Sequence, residues 1–524
     1  MSRGLRIAAA VAWFAGLAAF AWWTRRPLVR EGLWTDEAIS VYVARAPSAS
    51  EFLLRNRTSD YTPPLFNVLL AAYGRAAGFD ETAVKGFAFA WGLLAAAAGT
   101  ALAAELGGLL AAAIAGAFLV NNPILIEMSA EARAYSLSAF LAGASLVAVF
   151  RLRRSFASGR AAWVFATVLL ALLVWSHVAG GILVAMLFLW GLDEWRRSRE
   201  RPFGRRLAIA SLLAGSSFLV WLPTTWRQAT IGLPWEKRLP PAEFLRAFLA
   251  RTREMLPVPQ AFDHVVFFLG LGLIVLAAAL GGRRVAGELG RDGRPLGVTA
   301  LAGGVIWLVL GLYTGQSSRY LIVPAMLLGA VAAVLLVRFV RACSGPGAAP
   351  RARALAASGA ACLVVSAFVA RADFYEGRFA TALRAKSGLR GFCGGPSFPS
   401  DGMVLVVPDY LAPTAWYYCG HEDRLRGFTH WDRPFLFDPA RYRDLWRDPR
   451  AAAAAAAEIE RTLAAGEARR FVLVQDDPPT ELLPLFDAPV RRLDAALAAR
   501  FEERPLGRYP GRVESVRVIE LRRR

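Results

Sequence analysis

Eleven apolar runs punctuate the chain, at 5–23, 84–104, 107–122, 135–151, 161–176, 178–192, 207–223, 263–281, 297–313, 319–338 and 354–371. A helix crossing a bilayer needs roughly 20 mostly apolar residues. Each run therefore predicts a transmembrane helix, about eleven in all. The first run also fits a secretory signal. Trp22, Trp23, Arg25 and Arg26 follow it where a cleavage site would carry small residues, which favours a retained helix. The gaps between runs differ in kind. Four are Arg-rich: 151–160 with Arg151, Arg153, Arg154 and Arg160, then 193–206, 283–294, and 338–353 with Arg338, Arg341, Arg351 and Arg353. Alternating spans put all four on the side of the N-terminus, and the positive-inside rule makes that side cytoplasmic. The opposite side receives 24–83, 123–134, the turn at His177, 224–262, 314–318 and everything after 371.

The outer segment 24–83 is too long for a plain connector. Its pattern predicts helices near 36–46, near 51–56 behind a Ser48 or Ser50 cap, and from Thr62-Pro63-Pro64 onward, with Thr62 as cap. Leu65, Phe66, Val68, Leu69, Leu70 and Tyr73 make the last of these mostly apolar and interface-seeking. Segment 224–262 is similar, mixing Trp226, Trp235, Phe244 and Phe248 with Arg and Pro. Beyond 371 the pattern changes. Residues 403–407, 471–474 and 514–521 read as strands, while 410–418 and 452–466 read as helices, the second closed by Gly466. The expected fold is a polytopic α-helical membrane module over 1–371, whose outer loop 24–83 carries interfacial helices. A small soluble α/β domain with some parallel strands follows over 372–524.

Composition agrees. Of 524 residues 56% are hydrophobic and 19% charged, and the mean hydropathy is +0.39, which excludes a disordered chain and fits poorly with a soluble enzyme. The net charge of +20 invites a nucleic-acid reading, but the arginines lie between apolar segments, as cytoplasmic membrane loops do. The four cysteines, Cys343, Cys362, Cys393 and Cys419, show no zinc-ligand spacing. Cys393 and Cys419 share the outer compartment, where a disulfide between them and two separate thiols both remain open.

The unusual polar residues all fall at outer helix ends, where ionisable groups near a bilayer tend to be functional. Asp36 and Glu37 follow Trp34-Thr35 at a helix start; they serve either as capping carboxylates or, at Asp36, as a general base for an acceptor hydroxyl. Asp60 offers a second carboxylate before a helix, or a local turn cap. Glu131 and Arg133 pair with each other, or Arg133 forks onto a phosphate. Lys85 and Arg319 are snorkelling anchors or further phosphate contacts. His177 caps its turn or helps hold donor or acceptor.

Three stretches in this order and on this side resemble the N-terminal module of GT-C glycosyltransferases: Trp34-Thr35-Asp36-Glu37-Ala38, Asp60-Tyr61-Thr62-Pro63-Pro64-Leu65-Phe66, and Glu131-Ala132-Arg133-Ala134-Tyr135-Ser136-Leu137. The likeness is to bacterial relatives of protein O-mannosyltransferases, lipid A aminoarabinose transferases and lipopolysaccharide-core galacturonosyltransferases. It covers about 30–200 and resumes at Ser317-Ser318-Arg319-Tyr320-Leu321-Ile322-Val323-Pro324. The resemblance implies a polyprenyl-phosphate sugar donor, chemistry at the outer face of a bacterial cytoplasmic (inner) membrane, and a catalytic carboxylate at Asp36, with Asp60 as second candidate. The aminoarabinose transferases carry Lys directly before that proline. This chain has Thr62, so Lys85, Arg133 or Arg319, with Tyr320, would supply the donor-phosphate contacts. Glu37, Glu131, Tyr135 and His177 are the expected substrate contacts. The acceptor is expected to be a glycan, lipid or protein of the envelope. No cofactor is predicted; a hard cation on Asp36, Glu37 and Asp60 is the variant that chelation would expose. The competing class is a transporter or flippase. It would call for mid-membrane charges or an internal repeat, and the sequence displays neither.

Overall fold

The computed structural model describes residues 3–60, 62–155, 159–197, 201–231, 240–255, 265–281, 293–314, 318–345, 349–369, 385–395, 402–420, 422–427, 450–465, 470–477 and 484–523, with Phe398 and Asp448. The chain separates into two compact units. One comprises Met1–Leu28, Lys85–Trp221 and Arg238–Arg378; the other comprises Val29–Val84, Leu222–Lys237 and Phe379–Arg524.

The first unit is helical. All eleven apolar runs form helices: Arg3–Arg25, Glu81–Gly107, Leu109–Asn121, Tyr135–Arg154, Arg160–Ser176, Val178–Arg196, Arg201–Ser217, Val265–Gly281, Gly293–Thr314, Ile322–Ser344 and Pro350–Val369. Among the described residues seven are long and apolar enough to cross a membrane singly. The helix Leu109–Asn121 joins Pro123–Ser129 at a 63° bend to make an eighth. The remaining runs, among them the 17-residue helix Arg160–Ser176, fall short of that standard, so the count of about eleven rests on shorter helices as well. Their outer faces carry large apolar side chains in the open, Phe165 at 60%, Leu189 at 63% and Leu213 at 59% exposure. Water disfavours such a surface and hydrocarbon accepts it.

The Arg-rich ends of these helices meet. Arg151 and Arg154 lie 3.4 and 3.1 Å from the Glu105 carboxylate, and Arg341 donates to Gly107 O at 3.3 Å. Arg294 donates to both oxygens of the buried Glu194 at 3.1 and 3.0 Å. Close helix approach is bought with glycine: a Cβ on Gly191 would stand 2.7 Å from Ala208 N and 3.0 Å from Gly204 O, both backbone atoms of the facing helix. The helix Pro241–Met255 rests on Gly293–Thr314 by stacking Phe248 on Trp307 at 4.1 Å.

The second unit holds a five-stranded sheet, β1 Gly402–Val407, β2 Leu425–Gly427, β3 Arg470–Asp476, β4 Phe501–Tyr509 and β5 Val516–Arg523, in the order β2-β1-β3-β5-β4. β1 runs parallel to β2 and β3, and β5 runs antiparallel to β3 and β4. Leu405, Val407, Phe471, Leu473, Ile519 and Leu521 point to one face and pack with Ala452, Ala455, Ala456, Ile459, Leu493 and Leu497 from the helices Arg450–Ala464 and Pro484–Ala498. Val404, Val406, Val472 and Val474, on the other face, are equally buried. Burial on both faces is why these strands read as unbroken apolar runs instead of alternating ones. The alanine run earns its place by letting its helix sit close to the sheet. β2 has three residues and β4 is a mostly exposed edge strand, Glu502 to Arg504 lying open with a bulge at Pro505/Gly507. Such an edge has no apolar pattern to read, and neither strand is predicted from sequence; nor is the helix Pro484–Ala498.

The expected interfacial helices form as Thr35–Ala44, Ala49–Thr58 and Leu65–Ala77. Ser48 caps the second, accepting from Glu51 N at 3.1 Å. The third begins after Pro64, which has no side-chain cap. Thr62 is therefore not its cap: its hydroxyl and N–H both turn back to Asp60. Segment 224–262 contributes Leu222–Ile231 here and Pro241–Met255 to the first unit. Trp235 and Gly466 lie outside the described residues.

Candidate active site

In the second unit, Thr35, Asp36 and Glu37 form the first turn of the helix Thr35–Ala44. Two carboxylates there complement the amide N–H groups and positive end of the helix. They do so differently. Asp36 is half-buried. Glu37 is fully buried; its Oε2 lies 3.4 Å from Trp34 N and 3.2 Å from Lys386 Nζ. Thr35 N donates to Glu514 Oε1 at 2.7 Å, and Thr35 Oγ1 donates to Tyr410 O at 2.8 Å. With its one proton so used, Thr35 Oγ1 accepts from Thr414 Oγ1 at 3.0 Å. Burial first, then the charge of Asp476, raises Glu514 to about 7 against the lowering effect of its Thr35 and Ser387 hydrogen bonds. Leu33 N donates to the Tyr418 hydroxyl at 2.7 Å, and that hydroxyl reaches Leu33 O at 3.2 Å. Gly32 has φ +77°, and a Cβ on it would stand 2.7 Å from the Tyr418 hydroxyl, so both the backbone angle and the space demand glycine.

Asp60 is buried at the centre of an amide network. Its Oδ1 accepts from Thr62 N at 3.0 Å and Thr62 Oγ1 at 2.9 Å, and its Oδ2 accepts from Asn67 Nδ2 at 2.8 Å. Asn67 also donates to Asn56 Oδ1, Asn56 donates to Thr62 O, and Gln228 donates to Asp60 O at 2.9 Å. Both Asp60 oxygens thus hold the turn that precedes the helix Leu65–Ala77. Cys393 and Cys419 are bonded to each other in the same unit. A cleft of about 660 Å³ is lined by Arg45, Asp80, Glu81, Arg390, Tyr417 and Tyr418, with Arg390 and Glu81 ion-paired at 2.8 Å.

In the first unit the remaining expected residues gather at the helix ends opposite the arginine-rich ones. Tyr135 begins the helix Tyr135–Arg154, His177 caps Val178–Arg196, and Tyr320 closes the turn Ser318–Tyr320. Their rings form a triangle with centroids 5.7, 5.9 and 5.8 Å apart. His177 Nδ1 accepts from Ala179 N at 3.2 Å, so the neutral ring carries its proton on Nε2. Burial, and then the nearby Arg133 guanidinium, lowers His177 to about 4. Glu131 and Arg133 sit in the short loop between Pro123–Ser129 and Tyr135–Arg154, both buried, with Arg133 N bonded to Glu131 O at 2.7 Å. Lys85 is fully buried and donates to Ala130 O at 3.0 Å. Arg319 stands next to Tyr320 and is half-buried.

Sequence reasoning missed Arg25, reading it as a span flank. It is fully buried; it donates to Ser129 Oγ at 3.0 Å and Val120 O at 3.1 Å, stapling the bend between Leu109–Asn121 and Pro123–Ser129. Its only sequence signal is a charge directly after an apolar run. Lys386 and Glu514 were missed altogether, because their partners lie 349 and 479 residues away. Among the described residues no group of three His, Cys, Asp or Glu side chains is arranged to hold a metal ion.

No family model matches the sequence, and no curated protein matches it. Solved structures do. ArnT from Cupriavidus metallidurans in the apo state aligns with a TM-score of 0.56 at 14% identity, covering 98% of each chain. The same protein bound to undecaprenyl phosphate aligns at 0.52 and 15% identity, covering 97% of each. The archaeal oligosaccharyltransferase AglB from Archaeoglobus fulgidus, in complex with an inhibitory peptide and a dolichol-phosphate, aligns at 0.51 and 14% identity over 95% of this chain and 73% of its own. At such identities the likeness is one of fold: the chain is a multi-helix membrane protein with a C-terminal sheet domain, and its fold is that of ArnT.

Proposed function

We propose that the protein is a glycosyltransferase that moves a sugar from a polyprenyl-phosphate donor to a cell-envelope acceptor at the outer face of the cytoplasmic membrane. The observation that carries this reading is the Asp36 turn. Its neighbours Thr35 and Glu37 are buried and held by Glu514 and Lys386, and Asp36 is the half-buried residue between them. A fold shared along nearly its whole length with a protein solved in complex with undecaprenyl phosphate supports the donor class.

The acceptor hydroxyl attacks the anomeric carbon and loses its proton to Asp36, while the bond from that carbon to the phosphate oxygen breaks. The electron pair leaves with the polyprenyl phosphate. Phosphate is already a good leaving group, so the reaction needs a base and a cationic environment more than a strong acid. Arg133 and Arg319 take the developing phosphate charge, Arg133 by a planar fork suited to phosphate oxygens. Lys85 and Glu131 frame that loop. The Tyr135, His177 and Tyr320 rings offer apolar faces, and His177 Nε2–H a donor, to the substrate. Attack opposite the phosphate inverts the anomeric centre. Asp60 keeps the loop in shape.

The test compares glycan and glycolipid masses in wild type, a deletion strain, and the deletion complemented with Asp36→Asn. One envelope component should lose a single sugar mass in both mutant strains, at normal protein abundance. Loss in the deletion alone would move the base to Asp60. No sugar loss in either, with a lipid-linked precursor left unmoved, would favour a transporter.

A further inference from the structure

We propose that Lys386 and Glu514 are positioning residues, which fix the Asp36 turn by gripping the residues on either side of it. This inference rests on the role given to Asp36 above. From Glu31 to Glu37 every second residue is held by the chain after 385. Glu31 O accepts from Lys386 N at 2.7 Å, and Glu31 Oε2 accepts from Arg512 Nη2 at 2.9 Å. Leu33 exchanges both its backbone groups with Tyr418; Thr35 N binds Glu514, and Glu37 binds Lys386. Glu31, Leu33, Thr35 and Glu37 are all buried, whereas Trp34 and Asp36 are half-buried. Asp36 is therefore suspended between two anchored residues.

The two gripping residues are themselves joined. Glu514 N donates to Lys386 O at 3.0 Å, Gly388 N donates to Glu514 O at 2.8 Å, and Ser387 bridges Glu514 in parallel. One small backbone ladder thus presents a cation to Glu37 and a carboxyl to Thr35. The Lys386–Glu37 pair is at most 2% exposed on either side. A buried ion pair adds little net stability, because desolvation offsets the attraction, but it tolerates no slippage. What it supplies is register: a defined place for the turn that carries the carboxylate.

The experiment uses the full-length purified protein, with hydrogen–deuterium exchange over 30–46 and single-substrate kinetics. The double variant Glu37→Gln/Lys386→Met removes both buried charges, and Glu514→Leu removes the acceptor for Thr35 N. Both should unfold near the wild-type temperature, exchange the 30–46 amides at least tenfold faster, and lose at least tenfold in kcat with donor KM unchanged. Glu514→Gln and Lys386→Arg, which keep the grip, should restore slow exchange and turnover. Unchanged exchange over 30–46 in both disruptive variants would overturn the proposal, as would faster exchange with wild-type kcat. Faster exchange in the two disruptive variants, with wild-type protein that transfers no sugar, would instead leave the grip standing and sink the enzyme reading.

Discussion

Carboxylates with one chemistry take different parts here because of what surrounds them. Asp36 and Glu37 are adjacent in sequence, yet Glu37 is fully buried against Lys386 and Asp36 is half-buried. Asp60 is consumed by its own turn. On the cationic side, Arg319→Ala should weaken donor use at least tenfold in kcat/KM, about 1.4 kcal/mol; an unchanged donor dependence would remove Arg319 from the site. Glu514 sets a pH dependence. Its value in the fold is raised to about 7 from the ordinary 4.5. The folded state thus holds a proton that the unfolded chain releases earlier. The stability this gives is fully present below about 4.5 and lost as pH rises through about 7. Thermal unfolding of wild type should fall across that window, and the slope should flatten in Glu514→Gln. The same slope in both would mean that another group titrates.

Among the elements, those with strong patterns were legible and those without were not. Apolar runs became helices, and the runs 403–407 and 471–474 became β1 and β3. The edge strand β4 carries charges because nothing covers it, so no periodicity announced it. The helix Leu65–Ala77 starts later than the Thr62 signal predicts, because the Thr62 hydroxyl donates back to Asp60. The helix hairpin Val178–Arg196 and Arg201–Ser217 depends on glycine at the crossing. Gly191→Val should lower the protein's melting temperature in detergent, with about 1–3 kcal/mol lost to overpacking. A wild-type melting temperature would show that the helices separate at no cost.

On the scale of the whole molecule, the arrangement of charge predicts an orientation. By the positive-inside rule the arginine-rich helix ends are expected to face the cytoplasm, and Ser50, in the loop that carries Asp36, is expected to face outward. Ser50→Cys should react with a membrane-impermeant maleimide in intact cells, and Ser155→Cys only after permeabilisation. The reverse pattern would invert the topology and remove the proposed outer-face chemistry. The two native cysteines outside the disulfide, Cys343 buried and Cys362 partly so, give the background for that labelling.

The sequence by itself determined the apolar spans and marked Asp36, Arg133, His177 and Arg319 as candidate residues. These are local or periodic properties, readable within one helix length. Only the tertiary structure decided which candidate side chains meet. Tyr135, His177 and Tyr320 come from three separate segments and meet as one triangle. Glu37 and Asp60 found their partners only in the fold, Lys386 for one and Thr62 with Asn67 for the other. Lys386 and Glu514 meet Glu37 and Thr35 across separations of 349 and 479 residues, which no window of sequence contains. Packing chooses such partners by burial and hydrogen-bond geometry, and neither exists until the chain has folded.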